Sequence, residues 1–222
     1  MNNPLILNFK NYLEISGDKT IELAKAAEKV SNNLRVEIVV APPQASLWAV
    51  TNNIGIPVIC QHVDDANPGS TTGFFIPEMA KSYGSVGSLI NHSEHRIDMK
   101  SIMNLVHMLK KLDLISVVCA RTPAEVAEIA KINPDFVAIE PPELIGSGKA
   151  ISKEAPEILS SSVKAISDNS DSARIICGAG IVDKSDVTRA FELGAQGILI
   201  ASGVIKANSW EEKISELASA FT

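Results

Sequence analysis

This 222-residue sequence predicts an α/β protein folded as one closed (β/α)8 barrel with shortened helices, on three observations. Eight short apolar runs occur in order, each followed by helical pattern. Strands alternating with helices imply right-handed crossovers and a parallel sheet. No linker, low-complexity tract or change of composition separates the eight units, which favours a single domain over residues 1–222 and a barrel over an open doubly wound sheet. Hydrophobic residues make up 45% of the chain, enough to bury one substantial core. Such barrels typically take about 250 residues, so trimmed helices are expected, chiefly after the fourth run and at the C-terminus.

The first run, Pro4 to Lys10, turns polar at its end, and helical spacing follows from Asp18 to Val30 with Asp18 placed to cap. Val36 to Ala41 precedes a helix starting near Pro43, and Pro57 to Gln61 precedes a long loop and a helix from Pro77. Val86 to Asn91 leads through His92-Ser93-Glu94-His95-Arg96 into a helix ending near Lys111. Leu114 to Cys119 comes before a helix from Pro123 to Lys131, where a proline at the first turn removes only an N–H that would be unpaired anyway. Phe136 to Ile139 stops at Glu140, and a helix is expected from about Ser152 to Ser167. Arg174 to Cys177 leads through Gly178-Ala179-Gly180 to a helix from Lys184 to Leu193. Gly197 to Ile200 leads through Ala201-Ser202-Gly203 to a closing helix from Trp210 to Phe221.

Composition narrows the function. A net charge of −6 and a pI near 5.3 leave no excess of Lys and Arg for a nucleic-acid backbone or an anionic membrane. The N-terminus, Met1-Asn2-Asn3-Pro4, has no basic segment followed by an apolar one, and no run approaches the roughly 20 residues of a membrane span, so a cytoplasmic protein is expected. Cys60, Cys119 and Cys177 are widely spaced with no Cys-x-x-Cys pair, which reads as reduced, buried thiols.

In a barrel the C-terminal tips of the strands converge on one face. Those tips carry Asn8 and Lys10, His92 and Glu94, Glu140, and the two small-residue loops at Gly178–Gly180 and Ala201–Gly203. Small residues let backbone N–H groups approach a bound anion, so two such loops after the last two strands point to a phosphorylated ligand. Glu140 opens Pro141-Pro142-Glu143-Leu144-Ile145-Gly146-Ser147-Gly148, which reads either as an ordinary βα loop or as a hinged lid sheltering a carboxylate base. Lys10 is either a solvated strand-end lysine or a cation for a phosphate or oxyanion, and His92 either a packed ring or a proton donor. The segment around His92 lacks the H-E-x-x-H spacing of a metal site and the G-x-S-x-G elbow of a serine hydrolase, so no metal is expected.

Asn8-Phe9-Lys10, Asn91 to Arg96, Glu140 to Lys149, Cys177 to Gly180 and Ala201 to Gly203 together resemble, in order along the whole chain, the signature segments of the triosephosphate isomerases in their short archaeal form. The resemblance implies cofactor-independent interconversion of dihydroxyacetone phosphate and D-glyceraldehyde 3-phosphate through an enediolate, in glycolysis and gluconeogenesis. It implies Glu140 as base and His92 as electrophile, the latter a neutral imidazole at the start of a helical stretch. Lys10 with Asn8 would stabilise the enediolate, Glu94 would position Lys10, and Arg96 would pair with Glu94. Asn8, Phe9, Lys10, Ile145, Gly146, Gly180, Ala201 and Ser202 would hold the substrate and its phosphate.

The loop Asn67 to Phe75, with Thr72-Gly73, corresponds to one that in this family reaches a neighbouring subunit's active site. A homo-oligomer follows, a tetramer built from dimers, with Phe74 and Phe75 as apolar contacts. The chain departs from the bacterial and eukaryotic pattern in its length, in Pro142 and Glu143 where the lid often carries Val-Trp, and in Ala179. Two other readings share the two late loops. One is another phosphate-binding barrel, acting on a phosphoribosyl or thiazole-phosphate substrate; the other is a catalytically silent barrel serving as an assembly module.

Overall fold

The structure is a computed structural model and describes residues 1–145 and 148–222. Its strands are β1 (Leu5–Asn8), β2 (Ile38–Ala41), β3 (Gly87–Ile90), β4 (Ile115–Ala120), β5 (Phe136–Ile139), β6 (Arg174–Cys177) and β7 (Ile198–Ile200). They pair in parallel in the order β2-β1-β7-β6-β5-β4-β3. The remaining predicted run, around Val58 to Cys60, bridges the two ends of that sheet, pairing Val40 with Val58 on one side and Cys60 with Ser88 on the other. Ile59 N–H donates to Val40 O at 2.9 Å and Cys60 N–H to Gly87 O at 2.8 Å. The (β/α)8 barrel is thereby completed, with one stave reduced to bridges beside Pro57, which has no N–H to extend the ladder.

The strands are buried on both faces, hence their continuous apolar runs. Alternation sorts their side chains. Ile6, Val39, Ile59, Leu89, Val117, Phe136, Ala138, Ile176 and Leu199 fill the barrel interior. Leu5, Leu7, Ile38, Val40, Val118, Val137, Ile139 and Ile175 face outward into the larger cluster beneath the helices. At the N-terminal end of the strands the Arg174 guanidinium lies 4.2 Å from the centre of the Phe136 ring and covers the interior.

The helices are α1 (Asp18–Leu34), α2 (Leu47–Thr51), α3 (Pro77–Ser82), α4 (Met99–Lys111), α5 (Pro123–Ala130), α6 (Ile151–Glu154), α7 (Pro156–Asn169), α8 (Lys184–Glu192), α9 (Ser202–Ile205) and α10 (Trp210–Ala218). Shortening is present, but not after the fourth run. The short ones are α2, α3, α6 and α9, of 5, 6, 4 and 4 residues, the last of them near the C-terminus as expected, while α4 runs for 13. In α4, Ile102, Leu105, Val106 and Leu109 form a continuous buried stripe, and the Asp98 carboxylate caps the first turn by accepting from Ser101 N–H. In α2, Asn52 and Asn53 turn their side-chain amides back onto the carbonyls of Trp48 and Ala49 and end the helix.

Two further expectations are corrected. Gly17, at φ +63°, precedes α1, and Asp18 is its first helical residue, without a capping bond. The helix expected from Ser152 to Ser167 is split, because Pro156 has no N–H to continue α6 and instead starts α7. Cys60, Cys119 and Cys177 are free and buried as expected, and burial pushes the thiols of Cys60 and Cys177 up to about 11 and about 12. No described helix is long and apolar enough to cross a membrane.

Candidate active site

Strand parity aims the chemistry. Phe136 and Ala138 point into the barrel, so Glu140, two residues further along, also points inward, over the mouth. On the neighbouring strand Ile139 pairs with Cys177, which sets Gly178 beside Glu140. A Cβ on Gly178 would come within 2.6 Å of Glu140 Cγ, so the missing side chain is the space the glutamate occupies. Glu140 is only 3% exposed, and its Oε2 has no hydrogen-bond partner among the described residues. An acceptor buried without a partner is costly unless another molecule brings the proton. Beneath it Cys119 is pushed well above the ordinary thiol value, by burial first and then by the Glu140 carboxylate, so it remains a neutral donor toward that carboxylate.

His92 faces the same carboxylate, with Nε2 3.5 Å from Glu140 Oε1. Its other nitrogen, Nδ1, accepts from Glu94 N–H at 3.2 Å. With Nδ1 turned to that backbone N–H, the Nε2 edge of the ring is the one that faces Glu140 and the cavity. This corrects the expectation of a helix N-terminus at His92. The segment is a turn closed by His95 N–H to His92 O at 2.8 Å, and α4 begins only at Met99.

Lys10 approaches from β1. It adopts φ +50°, a left-handed conformation that L residues seldom take. Asn8 Oδ1 accepts from Lys10 N–H at 3.0 Å, and Gln61 Nε2 donates at 3.0 Å to both Lys10 O and Ala41 O. The Lys10 ammonium then meets Glu94 Oε1 at 2.6 Å. Arg96 does not join that pair; its guanidinium binds Glu125 and donates to Asn91 O. Phe9 lies between Asn8 and Lys10 in sequence, but parity turns it outward into the cluster under the helices, so it packs and does not line the cavity.

A cavity of about 290 Å³ gathers Asn8, Lys10, His92, Glu140, Ile145, Gly180, Ala201 and Ser202. Gly146 lies outside the described residues. Gly180, at φ +72°, passes so near the base of the loop after Glu140 that a Cβ there would fall 1.8 Å from Lys149 O. The N–H groups of Ser202 and Gly203, in the first turn of α9, have no acceptor among the described residues and are available to an anion. Sequence reasoning placed Gly178 in the phosphate cradle, whereas it makes room for Glu140, and it missed two contributors: Gln61, which fixes the Lys10 loop, and Lys206, which lines the cavity. Of the two missed residues only Lys206 had a sequence signal, standing four residues after Ser202 on one face of a helical turn.

The family model described as triosephosphate isomerase matches residues 4–217. The chain belongs to the triosephosphate isomerase family. It is 46% identical over 218 residues to the triosephosphate isomerase of Cenarchaeum symbiosum, covering 98% of this chain and 97% of that protein. To the triosephosphate isomerase of Methanothermus fervidus it is 45% identical over 218 residues, with 98% of each chain covered. To that of Methanocaldococcus jannaschii it is 42% identical over 213 residues, covering 96% and 97%. The chain is therefore an isomerase of triose phosphates, and the cavity over the barrel mouth is where a triosephosphate isomerase needs its site.

Proposed function

We propose that Glu140 is the base and His92 the electrophile of a cofactor-independent isomerisation between dihydroxyacetone phosphate and D-glyceraldehyde 3-phosphate. Glu140 takes a proton from C1 of the ketose, and the released electron pair forms the C1–C2 double bond while the carbonyl oxygen becomes an enediolate oxygen. His92 Nε2–H hydrogen-bonds and protonates that oxygen, and the resulting imidazolate recovers a proton from the hydroxyl on C1 as the aldehyde forms. Glu140 returns its proton to C2. Every proton that leaves one atom arrives at another, so no co-reactant is required.

The supporting observation is the unpartnered Oε2 of a buried Glu140, whose other oxygen lies 3.5 Å from His92 Nε2. Lys10 and Asn8 stabilise the enediolate charge, and Glu94 holds the ammonium in place. Gly180, Ala201 and Ser202 receive the phosphate, and Ile145, which lines the cavity, helps to exclude the water that would let the enediolate lose phosphate. In Lys10→Ala the fold is retained, as shown by an unchanged circular dichroism spectrum, and isomerase turnover disappears. Retained turnover would remove Lys10 from the site.

The proposal extends to the assembly and setting. A second cavity, lined by Asn11, Tyr12, Gln44, His62, Glu94 and His95, opens beside Lys10 and could receive the tip of a neighbouring subunit's loop around Thr72-Gly73. In that loop Phe74 is 55% exposed, whereas Phe75 packs against Tyr83 of its own chain, so Phe74 is the apolar contact offered to a partner. The oligomer is read as a tetramer built from dimers. It would act on triose phosphates in the cytoplasm, within glycolysis and gluconeogenesis.

A further inference from the structure

The substrate's far end is a phosphomonoester carrying about −1.5 to −2 charges at neutral pH, and it must approach a protein of net charge −6. The inner cation is already engaged. Lys10 is drawn onto Glu94 at 2.6 Å, beside Asn8 and His92 where the carbonyl reacts. Among the described residues lining the cavity, the other cation is Lys206. Its N–H donates to Ser202 O at 3.1 Å, so it stands one helical turn from Ser202, on the face of α9 that includes the small-residue loop.

The surroundings of Lys206 distinguish it from an ordinary surface lysine. No carboxylate pairs with it among the described residues. Its ammonium instead lies 5.3 Å from the centre of the Tyr12 ring, and Tyr12 follows Lys10 by two positions. An aromatic face attracts an ammonium without neutralising it, so Tyr12 restrains the side chain while leaving the full charge and its N–H donors facing the cavity. A carboxylate in the same place would cancel the charge.

We infer that Lys206 is a second phosphate-binding cation, held at the rim of the cavity by the Tyr12 ring, and that it captures the phosphate without taking part in proton transfer. The inference rests on the isomerase reading of the cavity. It assigns the two lysines separate work. Lys10 stabilises charge that develops during reaction, and Lys206 binds charge already present in substrate and product alike, so it acts on KM and on the rate of encounter rather than on kcat.

The test compares the parent enzyme with Lys206→Met, Lys206→Arg and Tyr12→Leu, on D-glyceraldehyde 3-phosphate and on unphosphorylated D-glyceraldehyde, with inhibition by 2-phosphoglycolate. In Lys206→Met, KM and the inhibition constant should rise together by about fivefold to tenfold while kcat stays within about twofold. The decline of kcat/KM with added salt should become shallower, and turnover of glyceraldehyde should be unchanged. Lys206→Arg should restore most of the phosphate affinity, and Tyr12→Leu should show a smaller form of the same loss. Unchanged KM and salt dependence in Lys206→Met would overturn the inference. A parallel loss with glyceraldehyde would also overturn it, by showing a structural role. A parent protein inactive on the phosphorylated triose would overturn the underlying isomerase reading instead.

Discussion

Gly178 and Glu140 act as a unit, because one supplies the volume that the other fills. A methyl group at position 178 would lie 2.6 Å from Glu140 Cγ, so Gly178→Ala must turn the carboxylate away from His92. A misplacement of about 1 Å at a reacting group can cost on the order of 100-fold in rate. Gly178→Ala should therefore lower kcat by roughly 10- to 100-fold with the affinity for 2-phosphoglycolate much less affected, as steady-state kinetics and inhibitor titration will show. An unaltered kcat would mean that Glu140 is not confined as described. Glu140 itself was legible in the sequence as the polar end of an apolar run. Gly178 was legible only as a small residue near a phosphate; its pairing position opposite Glu140 is set by the register of β5 and β6, which no local pattern records. His92 shows the same limit. Its identity and place were readable, but its ring orientation is set by the Glu94 N–H within a turn and not by a helix N-terminus.

At the scale of elements, the segment from His62 to Phe75 is where acid should act. The His62 ring stacks on His95 with centroids 3.9 Å apart, and its Nε2 lies 3.4 Å from Asp64 Oδ1. Burial, and then His95, hold the His62 imidazole below its ordinary value of 6.5, with Asp64 pulling weakly the other way. The sign follows directly. As pH falls below about 6.5 the unfolded chain takes up a proton at this position that the folded chain still refuses, so stability falls with pH until the depressed folded value is passed. The melting temperature should drop between about pH 6.5 and pH 5, and His62→Gln should flatten that part of the profile. A profile identical in the two proteins would remove His62 from the acid response. Element positions were largely readable from hydrophobic runs and proline placement. Helix lengths were not, because α2 ends through the Asn52 and Asn53 side chains and the split before Pro156 depends on the partners each turn finds.

At the scale of the whole molecule, the barrel brings together residues 84 positions apart at the Lys10–Glu94 pair and strand tips from both ends of the chain. That convergence was legible because eight ordered units allow few parallel topologies. The closing stave was read as a full strand and proved to be a pair of bridges, a consequence of Pro57, which has no N–H for the ladder. The exposed Phe74 and the cavity beside Lys10 lead to a prediction about assembly: light scattering at micromolar concentration should give the mass of an oligomer, and Phe74→Glu should reduce it. A monomeric mass for the parent would contradict the proposed insertion of a partner loop.

The central claim is that Glu140 removes the carbon-bound proton inside a sheltered cavity. Its most direct test follows, by nuclear magnetic resonance in D2O, the exchange and isomerisation of dihydroxyacetone phosphate with the parent protein and with Glu140→Gln. The parent should turn over the substrate and place deuterium on carbon, while Glu140→Gln, binding 2-phosphoglycolate, should do neither at more than about a thousandth of the parent's rate. Deuterium incorporation by Glu140→Gln at the parent's rate would contradict the account.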